Sequence, residues 1–206
     1  FAAGAADVNV GALPGRRLVG RAWYNEPAMR FLDYLRPRMT VPTVYDLDLE
    51  HLWRRGIRGL ILDLDNTLVA WGSDLVTERL VVWVEAARSR GLRLCFSSNA
   101  RSRRVEEFAR LLGIPGIPNA SKPRRRSFRR AMQIMGTTAC ETAVVGDQIF
   151  TDVLGGNRLG LFTILVTPIA TREFVWTRLI RRVEHLVLRA LGLSQEFPRG
   201  PAQRVR

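Results

Sequence analysis

The chain has 206 residues, enough for one domain with a sizeable core, and its 47% hydrophobic and 25% charged residues are ordinary for a globular protein. Its formal net charge of +13 at pH 7 is unusual and predicts an anionic partner: a nucleic acid, an acidic membrane surface or a phosphorylated substrate. The longest stretch without a charged residue, 159–171, is shorter than the ~20 apolar residues that cross a bilayer. A transmembrane protein is therefore not expected.

Two further features predict a cytoplasmic protein. Arg16 and Arg17 follow the Ala/Gly-rich start where a signal peptide would have an apolar segment. Cys95 and Cys140 have no metal-ligand spacing and lie beside apolar residues, so we expect two buried free thiols in a reducing compartment.

The order of predicted elements indicates one domain over 26–192 between two flexible tails, 1–25 and 193–206. Short helices are predicted at 26–35 and around 47–53. Beyond them, apolar runs typical of strands alternate with helical patterns. The strands are expected at 59–64, 92–97, 116–118, 142–145 and 162–166, and the helices at 78–89, 103–112, 124–135 and 151–158.

This alternation predicts the α/β class, with a three-layer Rossmann-like fold in which helices cover both faces of a parallel sheet. In such sheets, ligands bind beyond the carboxyl ends of the strands. Polar residues fall at those ends in this chain: Asp63, Asp65, Ser98, Asn99, Asp147 and, five residues further on, Asp152. Each is an ordinary turn residue by itself, but their coincidence at one predicted edge favours a site. Carboxylates grouped after an apolar strand also need a cation or proton to balance them.

Lys122 is the one lysine in a chain with 32 basic residues, and it follows the third predicted strand. A compact ammonium can act as a point charge on a phosphoryl oxygen, whereas a guanidinium is planar and diffuse. The lysine therefore favours a phosphate site, with chance placement as the alternative.

Together these residues predict a phosphoryl-transfer site. Asp63 would attack phosphorus and form an aspartyl phosphate, and Asp65 would protonate the leaving oxygen and then activate water. Asp63, Asp147 and a backbone carbonyl would supply the hard oxygen ligands that Mg²⁺ prefers. Ser98 and Lys122 would hold the phosphoryl oxygens.

The order Asp63-Leu64-Asp65-Asn66-Thr67, Ser98-Asn99, Lys122-Pro123 and Gly146-Asp147 with Asp152 resembles the four motifs of the haloacid-dehalogenase phosphatase superfamily. The stretch 145–158, together with 44–48 ahead of the first motif, resembles its YqeG-type branch. On this resemblance, Asp63, Asp65 and Asp147 are assigned to the metal, and Asp152 to a supporting role. Thr67, Asn99 and Lys122 are assigned to substrate binding.

The YqeG-type branch is similar to the mitochondrial and plant phosphatases that convert phosphatidylglycerophosphate to phosphatidylglycerol, which implies a lipid-phosphate substrate. Another phosphorylated substrate, soluble or macromolecular, is the alternative. Asp63 precedes Ser98 by 35 residues, and Ser98 precedes Lys122 by 24. One helix and one strand fill each interval, so we expect no cap domain and an open site.

Basic residues suggest where the protein works. Arginines near the predicted site are interpreted as an anion-attracting rim or, alternatively, as solvated helix faces: Arg101, Arg103, Arg104, Arg124, Arg125, Arg126, Arg129 and Arg130. The pattern over 171–191 predicts an amphipathic helix with a basic face. Such a helix can lie on the anionic inner face of a membrane or pack on the domain.

Two other classes of function fit part of the sequence. Receiver domains also have a phospho-accepting aspartate, a hydroxyl residue and a lysine, but they have no acidic Gly-Asp motif after the lysine. This chain has that motif at Gly146-Asp147, which argues against a receiver domain. A basic RNA- or ribosome-associated protein fits the charge, but no RNA-recognition motif supports nucleic acid as the partner. The oligomeric state is left open.

Overall fold

The computed structural model describes residues 31–169, Arg189, Leu191 and Gly192. Across these residues six parallel strands form one sheet in the order β1-β6-β5-β2-β3-β4. The strands are β1 (Met39–Val41), β2 (Gly59–Leu62), β3 (Arg93–Ser97), β4 (Gly116–Ile117), β5 (Thr142–Gly146) and β6 (Phe162–Val166). The helices are α1 (Leu49–Arg54), α2 (Glu78–Ser89), α3 (Ser102–Leu112), α4 (Arg125–Met135) and α5 (Leu154–Asn157).

Strand β2 shows why the domain has three layers. All four of its residues are buried, as expected for a parallel strand covered on both faces. Leu60 and Leu62 belong to the core under α2 and α3. Ile61, which points to the opposite face, packs with Phe128, Ala131 and Met135 of α4. The predicted α/β class and Rossmann-like parallel sheet are confirmed.

The helices follow the sequence pattern closely. Thr77 caps the start of α2 by accepting from the backbone N–H of Leu80 at 3.2 Å. On α2 the buried side chains recur at helical spacing, namely Leu80, Trp83, Val84 and Ala87. In the described part of the chain, α2 fills the connection from β2 to β3 and α3 fills that from β3 to β4. Neither connection contains a cap domain.

The structure corrects several details. Edge strand β1 was not predicted, and the helix expected at 151–158 is a π-helical turn, Ile149–Val153, followed by the short α5. The described part of the first predicted helix is a 3₁₀ turn at Phe31–Leu35. Both cysteines are free, but Cys140 is exposed, so its predicted burial is wrong.

The two tails, 1–25 and 193–206, and nearly all of the predicted helix 171–191 lie outside the described residues. Near its end, Arg189 is exposed and Leu191 is buried beside Leu35 and Leu165. Within the described chain, no helix is long and apolar enough to cross a membrane.

Candidate active site

The predicted polar residues meet where the direction of strand order reverses. β2 and β5 are neighbours in the sheet, and the chain leaves them toward opposite sides. Asp63 follows β2, and its backbone N–H donates to the carbonyl of Val145 in β5 at 2.9 Å. Asp147 follows β5. This switch point is where open α/β sheets bind ligands.

Lys122 joins two of the buried carboxylates. Its Nζ lies 2.7 Å from Asp63 Oδ1 and 2.6 Å from Asp152 Oδ1. The ammonium side chain is 2% exposed, so both ion pairs are shielded from water. Burial would lower the pKa of Lys122, but the charges of Asp152 and Asp63 outweigh it and raise that pKa above its usual value. The lysine therefore stays charged.

The electrostatic setting of Asp63 reflects opposing effects. Burial raises the pKa of Asp63 to about 7, and the nearby Asp152 charge adds to this rise, while Lys122 opposes it. The carboxylate is thus held in a place that disfavours its charge. A cation bound beside it would favour the ionised form.

Gly146 makes the approach of Asp152 possible. A Cβ on Gly146 would lie 2.2 Å from Asp152 Cγ, well inside van der Waals contact. The π-helical turn places Asp152 there, and Asp152 Oδ2 also accepts from the hydroxyl of Thr151 at 3.1 Å. The Gly-Asp dipeptide at the end of β5 therefore needs its glycine for packing.

The other predicted residues lie close by. Thr67 is buried, and its hydroxyl donates to Asp147 Oδ1 at 3.4 Å. Asn99 Oδ1 accepts from the backbone N–H of Lys122 at 2.9 Å, which fixes the lysine's loop. Ser98 Oγ accepts from the Ala100 N–H at 3.2 Å. Roles of Thr67 and Asn99 in substrate binding stay predictions.

Asp65 faces a different set of partners. Its Oδ1 lies 3.0 Å from Arg104 Nη2 and accepts weakly from the Gly72 N–H at 3.4 Å. The buried acidic cluster is formed by Asp63, Asp147 and Asp152, whose nearest oxygens lie within 4.8 Å of one another. The assignment of Asp65 to the metal stays a prediction.

This cluster suits a hard divalent cation. Three carboxylates are buried together, and the ammonium of Lys122 contacts two of them, Asp63 and Asp152. Grouping buried carboxylates is costly unless cations balance their charge. Carboxylate oxygens are the ligands that Mg²⁺ prefers. Asp63, Asp147 and Asp152 would hold the ion.

Asp63, Asp65, Ser98, Asn99 and Lys122 line a cavity of about 370 Å³. Of the predicted basic rim, Arg101 and Arg104 also line it, whereas the arginines of α4 are exposed elsewhere. Other lining residues were not predicted for the site: Trp71, Gln148 and Thr151. Gln148 and Thr151 fall inside the stretch 145–158 that carried the resemblance, which was the available signal.

Comparisons with known proteins agree with this arrangement. A family model described as HAD-hydrolase-like matches residues 119–174. The chain is 42% identical over 158 residues to the "Probable phosphatase YqeG" of Bacillus subtilis, covering 77% of this chain and 92% of that protein. It is 28% identical over 170 residues to phosphatidylglycerophosphate phosphatase 1, chloroplastic/mitochondrial, of Arabidopsis thaliana, covering 76% of this chain and 48% of that protein. The chain thus spans about half of the plant relative.

Among solved structures, the cobalt-bound deoxy-D-mannose-octulosonate 8-phosphate phosphatase of Haemophilus influenzae matches with a TM-score of 0.44 and 16% identity. That match covers 69% of this chain and 94% of the other, and a TM-score this low supports no inference. The family is shown instead by the 42% identity to the Bacillus relative, which extends over 92% of that protein. The chain belongs to the haloacid-dehalogenase (HAD) superfamily of phosphatases, in the branch of the YqeG protein.

Replacing Lys122 tests the ion pairs. Lys122→Met leaves Asp63 and Asp152 buried without their cation, which should lower the free energy of unfolding by about 3–5 kcal/mol. Without the ammonium, the pKa of Asp63 should rise further above about 7. A carboxyl whose folded-state pKa is raised destabilises the fold as pH increases, so the deficit should be larger at pH 8 than at pH 5.

Urea unfolding in EDTA at the two pH values measures this difference. Arg129→Gln is the matched control, because it removes one positive charge from the exposed face of α4. An equal deficit at both pH values would show that Lys122 does not neutralise these carboxylates.

Replacing Gly146 tests the approach of Asp152. In Gly146→Ala the new Cβ should push Asp152 away from Lys122, costing about 1–3 kcal/mol in stability and most of the phosphate release. Gly56→Ala is the control: its φ of +87° makes alanine strained, but no heavy atom lies within 4 Å of the new Cβ. It should lose stability and keep its activity per folded molecule. Wild-type activity in Gly146→Ala would contradict the packing argument.

Proposed function

We propose that the protein hydrolyses phosphomonoesters through an aspartyl phosphate on Asp63, with Mg²⁺ as its metal. The observation that carries this proposal is the position of Asp63 at the switch point, paired with Lys122 and adjoining a cavity lined by Ser98. A carboxylate next to a fixed ammonium provides both the nucleophile and the charge that receives a phosphoryl group.

Two steps account for the reaction. An oxygen of Asp63 bonds to phosphorus while the ester P–O bond breaks, and the leaving oxygen takes a proton from the carboxylic acid of Asp65 to become an alcohol. Water then attacks phosphorus and gives its proton to the Asp65 carboxylate. The acyl-phosphate P–O bond breaks, which returns the Asp63 carboxylate and releases inorganic phosphate.

Lys122 and Ser98 would hold the phosphoryl oxygens during both steps, and Asn99 would keep the lysine's backbone in place. Mg²⁺, when bound by Asp63, Asp147 and Asp152, would neutralise charge on the phosphoryl oxygens. Asp152 would also keep the ammonium directed at the site through its 2.6 Å contact.

We further propose phosphatidylglycerophosphate as the substrate, as the sequence resemblance implied. Similarity to the Arabidopsis relative supports this proposal, as does similarity to phosphatidylglycerophosphate phosphatase 1 of Chlamydomonas reinhardtii, 29% identical over 158 residues. The cavity has the half-exposed indole of Trp71 and the exposed Arg101 among its lining residues. An apolar surface and a cation beside an uncapped phosphate site suit a lipid head group with a second anionic phosphate.

Phosphate release from a panel of phosphomonoesters tests the function. Protein with Mg²⁺ should release phosphate from phosphatidylglycerophosphate faster than from sugar or nucleotide monophosphates. EDTA should stop the release, and Ca²⁺ should restore it poorly because its coordination is larger and looser. Asp63→Asn should abolish turnover, and Asp65→Asn should slow it by about 10²–10⁴. Activity that persists in Asp63→Asn would rule out the nucleophile, and preference for a soluble ester would rule out the lipid.

We also propose peripheral contact with an anionic membrane through the basic sequence 171–191. Support comes from the sequence pattern, from the exposed Arg189, and from the net charge of +13. Each basic residue near such a surface contributes about 1 kcal/mol, and salt weakens this attraction.

Sedimentation with vesicles tests the membrane contact. The protein should sediment with vesicles that contain phosphatidylglycerol, much less with neutral phosphatidylcholine vesicles, and should be released by high salt. Arg178→Gln, Arg181→Gln and Arg182→Gln together should weaken binding and leave hydrolysis of a soluble phosphomonoester unchanged. Equal binding to both vesicle types would indicate that the segment packs on the domain instead.

A further inference from the structure

Arg104 links helix α3 to the loop that follows β2. It lies in the first turn of α3, and its side chain is 17% exposed. Nη2 lies 3.0 Å from Asp65 Oδ1 and donates to the carbonyl of Ser73 at 2.5 Å, and Nη1 donates to Asp74 Oδ1 at 2.5 Å. The guanidinium carbon also lies 5.4 Å from the centre of the Phe108 ring. One side chain therefore holds three residues of one loop.

These contacts leave Arg104 poorly suited to bind substrate. Both terminal nitrogens are engaged by the loop, and Nε is buried without a hydrogen-bond partner among the described residues. The neighbouring Arg101, by contrast, is exposed and lines the same cavity. The sequence placed Arg101 and Arg104 together in an anion-attracting rim, but the structure gives them different surroundings.

The contacts have a specific effect on Asp65. Among the described residues, the two donors that reach its carboxylate, Arg104 Nη2 and the Gly72 N–H, both meet Oδ1. Neither occupies Oδ2, so these donors fix the carboxylate through one oxygen and leave the other unoccupied by them. A general acid–base must sit within hydrogen-bond reach of the atom it protonates, and a misplaced group loses much of its effect.

The two acidic partners of Arg104 are not equivalent. Asp74 is 68% exposed, so its pair with Arg104 is screened by water and contributes little to stability. Asp65 is 21% exposed and lines the cavity, so its pair is screened less. The consequence of losing Arg104 should therefore fall mainly on Asp65.

We propose that Arg104 is a positioning residue for the acid–base carboxylate of Asp65. This inference rests on the proposed phosphomonoesterase function. Arg104 acts on proton transfer through Asp65, and the fork of its guanidinium fixes the direction of that carboxylate. Its loss should slow the reaction most where the leaving oxygen needs a proton.

The ratio of kcat/KM between two esters with different leaving groups tests this role, because a general loss of structure would lower both values equally. Phenyl phosphate requires more proton assistance than 4-nitrophenyl phosphate, because nitrophenolate is a stable leaving group. In Arg104→Gln, kcat/KM should fall about 10–100-fold for phenyl phosphate and clearly less for 4-nitrophenyl phosphate. The double variant with Asp65→Asn should be no slower than Asp65→Asn alone, because the two residues act on one step.

Three controls accompany this comparison. Arg103→Gln removes an exposed arginine from α3, and Asp74→Asn removes only the exposed partner, so both should keep the wild-type ratio of the two esters. Arg104→Lys keeps the charge without the fork and should give an intermediate ratio. It replaces Arg104→Gln in the comparison if the latter fails to fold by circular dichroism.

Equal losses on both esters, or additive losses in the double variant, would overturn the positioning role while leaving the phosphatase function intact. Wild-type protein that hydrolyses neither ester, nor any member of the phosphomonoester panel, would instead overturn the proposed function, and the role of Arg104 with it.

Discussion

The buried contact of Lys122 with Asp63 and Asp152 is the interaction on which the rest of the site depends. Three carboxylates meet at the end of a sheet with fully buried central strands, where their charge is costly, and the ammonium offsets part of that cost. Neighbouring residues hold the lysine and the carboxylates in place. Gly146 admits Asp152, Asn99 fixes the lysine's backbone, and Thr67 donates to Asp147. The grouped carboxylate oxygens suit a divalent cation.

The site and the whole chain carry opposite charge. The net charge of +13 draws a phosphate ester toward the protein, whereas the carboxylate cluster repels it at close range. A divalent cation would remove this conflict, so cation and phosphate should assist each other's binding. Among the described residues, the short connections that contain α2 and α3 place no domain over the cavity. Arg104 holds the loop after β2 against α3.

Sequence reasoning predicted the elements whose burial is continuous or periodic. β2, β5 and β6 are apolar runs, and α2 has a regular apolar face, so their positions followed from the residues. β1 was missed because three half-buried residues at a sheet edge have no distinctive pattern. The place of Asp152 in the acidic cluster depends on close packing against Gly146, which no local sequence pattern encodes. The pairing of Asp65 with Arg104 depends on how α3 docks, and no local pattern encodes that.

The single lysine has a consequence for the chemistry of the whole chain. Because Lys122 is the one lysine and its ammonium is 2% exposed, the folded chain of 206 residues presents no accessible side-chain amine. Acylating reagents and enzymes that modify lysine can reach this side chain only when the carboxylate cluster opens. Labelling of the Lys122 amine, separated from that of the N-terminal α-amine by peptide mapping, therefore reports local unfolding at one known position without an introduced probe.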